Sequence, residues 1–134
     1  MSHAVAVAPR VTAPRITMIL AGLLALGVLL EGAFAGGFLG GSQVWRSWHE
    51  NVGTVLILIP LASLLVGLAL QRRQPEDALM LASRLALLIL VIAVVVTGNV
   101  GGSLLAIHIP AAVAMAGVVV RQVMLATQAR NRQP

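Results

Sequence analysis

Three ionisable side chains sit where an apolar chain should hold none: Glu31, His49 and His108. Each lies in or at the mouth of a long uncharged run, where an ionisable group is costly and is a functional candidate by default. An imidazole ligates metals through either ring nitrogen, and two of them approaching from opposite sides can hold a haem iron axially. His49 lies seven residues after Ser42 and His108 five after Ser103, so from those ends their depths agree. From the other ends they differ: 21 residues separate His49 from Leu70, and 12 separate His108 from Val120. At about 1.5 Å per residue that is a mismatch of about 13 Å, which helix tilt and a snorkelling Arg121 would have to absorb.

The neighbours of the two histidines suit a flat ligand. Gly53 is one turn below His49, and Ala111 and Ala112 are one turn below His108 with Met115 beneath. Haem propionates need a cation, and Arg46, one turn above His49, is the expected partner. Glu31 is expected to back one of the histidines or to relay a proton. Each residue also has a plainer reading. A buried histidine can bond a carbonyl or Glu31 and hold helices together, at about 1 kcal/mol or less. Arg46 can pair with Glu50, Glu31 can sit neutral among packed helices, Met115 can be plain core, and Arg84 is expected to snorkel.

The elements that must position these residues follow from composition. Of 134 residues, 59% are hydrophobic and 10% charged, against roughly 25% charged in a soluble domain. The expected fold is all-α: a single integral membrane domain, 1–134, with four spanning helices near 16–36, 44–70, 78–97 and 103–126. All nine basic residues are Arg, and the net charge is +5. Arg10, Arg15, Arg72, Arg73, Arg84, Arg121, Arg130 and Arg132 fall on one side and Arg46 alone on the other. This eight-to-one bias predicts an up-down-up-down bundle with both termini cytoplasmic, in the bacterial inner membrane. It puts Glu31, His49 and His108 on the outer half. With no basic run interleaved with aromatics, and no Tyr, nucleic-acid binding is not expected. The absence of Cys excludes disulfides, iron–sulfur clusters, thiolate metal sites and covalent c-type haem.

The first helix, with Ala33-Phe34-Ala35 at its end, has the outline of a signal peptide. Its apolar run is long for one and Glu31 interrupts it, so it is read as a span. Met1 to Arg15 is expected to be a loose tail, His3 included. Gly32 and Gly36 form a small-xxx-small pair suited to close helix packing. In the second helix, helical spacing from His49 gives Gly53, Leu56, Pro60, Ser63 and Gly67 as the packed stripe, with Val55, Leu58, Leu61, Leu65 and Leu68 on other faces. Pro60 should kink it. Trp45 and Trp48 are placed like interfacial anchors. Gln71 to Asp77 is a charged turn, Ala82, Ala86 and Ala93 are the expected small face of the third helix, and Ser103 is the expected cap of the fourth. Gln128 to Pro134 is a polar tail.

With His49 opening helix 2 and His108 opening helix 4, the chain resembles one four-helix half of haem A synthase. It is still more similar to small four-helix bacterial membrane proteins with a histidine in each of those places. That resemblance implies a b-type haem with His49 and His108 as axial ligands. The synthase has eight helices, extracellular cysteines, and an acidic residue one turn before its helix-2 histidine; here that position is Arg46. Its enzymatic activity is therefore not carried over, and no nucleophile–base pair, phosphate loop or HExxH motif suggests another. The expected function is a membrane haem b protein for electron transfer or haem relay, with metal ligands His49 and His108 and haem contacts at Arg46, Gly53, Ala112 and Glu31. The alternative is a cofactor-free structural or assembly subunit of a larger membrane complex, or a homo-oligomer. A transport path through Glu31 lacks the inverted repeat such paths are built on.

Overall fold

The computed structural model describes residues 13–71 and 78–131. All of its regular structure is helical: α1 (Ala13–Leu39), α2 (Gln43–Leu56), α3 (Leu58–Gln71), α4 (Ala78–Val100) and α5 (Leu105–Asn131), with a 3-10 turn at Gly102–Leu104 before α5. In hydrocarbon a chain must satisfy its backbone groups within itself, which selects helices. Four stretches are long and apolar enough to cross a membrane: Arg15–Leu39, Gln43–Leu70, Ala78–Val100 and Gly102–Gln128. The shortest has 23 residues, about 35 Å at about 1.5 Å per residue.

The second span is α2 and α3 together. It breaks at Ile57 because Pro60 has no N–H to give the carbonyl four residues back, and the Ile57 N–H turns to Thr54 O at 3.4 Å. The other expected boundaries extend outward. The fourth span runs on to Asn131, through much of what sequence reading took as tail. Ser103 caps nothing: it lies inside the 3-10 turn, whose N-cap is Gly101. Gly98 to Val100 remain helical, and the reversal is made at Gly101 and Gly102, both with positive φ (67° and 58°) that only glycine adopts without strain. The Met1–Arg15 tail up to residue 12, with His3 and Arg10, lies outside the described residues, as do 72–77 and Arg132.

α1 packs on α2, α3 and α5, while α4 packs on α2, α3 and α5. Among the described residues neither α1 and α4 nor the second and fourth spans approach each other at the backbone. Those are the two diagonals. Inside, Leu24, Leu56, Leu87, Val91, Met115 and Val119 form an apolar layer. The expected stripe of the second span is its inner face: Leu56, Pro60, Ser63 and Gly67 are buried, and Val55, Leu58, Leu61, Leu65 and Leu68 are exposed.

Two expectations about small residues are corrected. On α4, Ala82 and Ala86 face outward, and Ser83, Arg84, Leu87 and Val91 are the buried side. Arg84 decides that register, because a guanidinium turned to lipid would lose every hydrogen bond. On α1, a Cβ added at Gly32 or Gly36 would meet nothing; the tight glycines are Gly27, against Leu56, and Gly37, against the Trp45 indole. The inner face of α1 runs Thr17, Ala21, Leu24, Gly27, and Gly32 and Gly36 fall beside it.

Candidate functional site

The two turns at 40–42 and 101–102 close the same end of the bundle, and the three ionisable groups meet just inside it. α1 contributes Glu31, α2 contributes His49 and α5 contributes His108. The His49 and His108 ring centroids are 6.2 Å apart with planes at 87°. These rings bridge the diagonal that their own helices leave open. The depth mismatch disappears because the fourth span continues to Asn131, so both histidines lie about six turns from the far ends of their spans.

Each ring is held by its Nδ1. His108 Nδ1 lies 2.8 Å from the Val94 carbonyl oxygen on α4. A carbonyl can only accept, so this nitrogen carries a proton, which in the neutral ring leaves the lone pair on Nε2. Thr97 Oγ1 donates to the same carbonyl at 3.2 Å. The Cε1 and Nδ1 side of the ring lies against Gly98, where a Cβ would come within 2.8 Å of His108 Cε1. His49 Nδ1 lies 2.5 Å from Glu31 Oε2, their side chains 26% and 12% exposed. The contact is close, and His49 Nδ1 and Glu31 Oε1 are both buried without a hydrogen-bond partner among the described residues. The carboxylate lies beside Gly53 on α2, where an added Cβ would be in ordinary van der Waals contact with Glu31 Oε2 at 3.4 Å.

The other expected site residues fall elsewhere. Arg46 is on the outer face, paired to Glu50 at 2.8 Å with half of each side chain exposed, and its guanidinium lies over the Phe38 ring at 5.5 Å. Ala112 is half-buried one turn from His108, and Met115 belongs to the apolar layer. Phe34 gathers Trp45 and Trp48 at centroid distances of 5.6 and 6.1 Å. Sequence reading missed Val94 and Gly98. Gly98 carried a signal, being a glycine inside a helix that the turn then folds back towards His108. Val94 carried none, because it acts through its backbone.

Arg84 does not snorkel; it is 0% exposed. Its guanidinium donates to Ser63 O at 2.7 Å, to Ser63 Oγ and to Thr17 Oγ1 at 2.8 Å, tying three spans together at the far end from the histidines. Near it Arg121 donates to Ser83 Oγ at 3.3 Å.

No group of three or more His, Cys, Asp or Glu side chains able to hold a metal ion occurs among the described residues. A bare metal cage is therefore not what the histidines build. A haem asks the protein for only one ligand on each face of its iron. Should a haem bind here, His49 and His108 would be the residues to hold its iron, and it would supply one-electron chemistry. The residues present fit that demand. Comparison with family models, curated proteins and solved structures finds no match to the chain.

Proposed function

We propose that this chain is a b-type haem protein of the bacterial inner membrane, ligating the iron through His49 and His108 and serving electron transfer or haem relay. Bound there, the haem supplies one-electron chemistry. The observation that carries this reading is the imidazole pair: 6.2 Å between centroids, from two spans that share no backbone contact among the described residues. A ligating histidine characteristically donates its other ring nitrogen to a carbonyl or carboxylate; His108 Nδ1 is bonded to the Val94 carbonyl, and a carboxylate oxygen of Glu31 lies beside His49 Nδ1. The resemblance to half of a haem A synthase points the same way. The short turns at 40–42 and 101–102 and the arginine bias favour an up-down-up-down order with cytoplasmic termini.

The test is a reduced-minus-oxidised spectrum of the protein purified from haem-replete cells. Soret and α bands are expected, lost in His49→Ala and in His108→Ala. A well-folded wild type without them rejects the reading. The alternative, a cofactor-free assembly subunit, is favoured by one feature: Gly32 and Gly36 lie open on the outer surface, where another helix can approach closely. A colourless chain that always co-purifies with larger membrane proteins in mild detergent would be the outcome for that reading.

A further inference from the structure

The two proposed ligands differ in what stands behind them. His108 has a neutral backbone carbonyl at its Nδ1, and His49 has a carboxylate. That carboxylate arrives from α1, a span that contributes no ligand, and it lies against Gly53 beside the ring. The other acidic side chain nearby, Glu50, is turned outward to Arg46. We infer that Glu31 is a positioning residue that makes His49 the stronger of two unequal axial ligands and holds the iron's potential down. This rests on the haem reading above.

The physical reason is donor strength. A carboxylate accepting the Nδ1 proton gives the imidazole part of the character of an imidazolate and raises its basicity towards a metal. A more basic ligand stabilises ferric over ferrous iron, since the oxidised state carries the extra positive charge. Axial-ligand strength and the hydrogen bonding behind it are among the levers by which a protein sets a haem potential. A carbonyl dipole gives much less of this than a full charge. The same contact also fixes ring orientation, so geometry and charge must be separated experimentally.

Potentiometric titration of the full-length holoprotein, followed at the α band, separates them. Glu31→Gln keeps the size and an acceptor oxygen but removes the charge. It should retain the band with its potential raised, a tenfold loss of ferric preference reading as about 59 mV for one electron. Glu31→Asp restores the charge and should bring the potential back towards wild type. Glu31→Ala should lower haem occupancy by about 10–100-fold. The haem it retains should show the same upward shift, so the test does not hang on one variant folding. Unchanged potentials in both uncharged variants overturn the inference and leave the haem reading standing. Absence of the α band from the wild type overturns both.

Discussion

The bundle has a polar cluster at each end, and the two are finished differently. At the far end from the turns, Arg84 is wholly enclosed and its guanidinium donates to Ser63 and Thr17. These bonds run from α4 to α3 and to α1, and they leave the site neither open nor reactive. At the turn end, two imidazole rings lie 6.2 Å apart at 87°, His108 bonded to the Val94 carbonyl and His49 against the Glu31 carboxylate. Between them lies the apolar layer of Leu24, Leu56, Leu87, Val91, Met115 and Val119. The comparison teaches that depth in the membrane does not mark a site. A buried cation enclosed by acceptors is a structural rivet. A pair of rings held on one side only is equipped to take something between them. Gln122 is the exception at the arginine end, buried with its amide nitrogen unpartnered, and nothing in the structure explains it.

Breaking the rivet should have the largest effect on stability. Arg84→Ala removes a fully buried side chain and should cost about 2–5 kcal/mol, as large-to-small core changes do, read as a lowered denaturation midpoint in detergent. Whatever remains folded should keep its haem spectrum, because the histidines are at the other end. Gly98→Val reverses the pattern. A Cβ 2.8 Å from His108 Cε1 must displace the ring, at about 1–3 kcal/mol for overpacking, and the α band should vanish while helicity by circular dichroism persists. An intact band in that variant would mean that His108 is not held where the site needs it.

Smaller changes sharpen the contrast. Ser63→Ala removes one of the two acceptors that Ser63 offers Arg84 and leaves the backbone carbonyl. About 1–3 kcal/mol is expected for a hydrogen bond to a charged group, again with no spectral change. Arg46→Gln should be the mildest. Its pair with Glu50 is half exposed, and such pairs contribute about 1 kcal/mol or less. If haem occupancy nevertheless falls several-fold, Arg46 serves the propionates and its pairing with Glu50 gives way to them.

Much of this was legible beforehand. The inner face of the second span can be read from Gly53, Leu56, Pro60, Ser63 and Gly67, because in lipid small and polar residues turn inward and leucines outward. The histidines stand out because an ionisable group in an apolar span has few tolerable places. What misled was local reasoning about packing. Gly32 and Gly36 match a packing motif, yet the register of α1 belongs to Thr17, Ala21 and Leu24. Arg84 sits near a span end, where snorkelling is the ordinary outcome. Acceptors on two other helices, at Ser63 and Thr17, reversed it, and sequence spacing gives no sign of partners 21 and 67 residues away.

Composition and periodicity alone pointed to four helices long and apolar enough to cross a membrane, because hydrocarbon demands internal hydrogen bonding wherever a chain enters it. They also singled out Glu31, His49 and His108, by the cost of placing such groups there. Tertiary structure decided what each one faces. Whether a ring meets another ring, a carboxylate or a carbonyl depends on helix rotation and on how far the last span continues, which is to Gln128. Those are settled by the packing of all four helices at once, and not by any one of them.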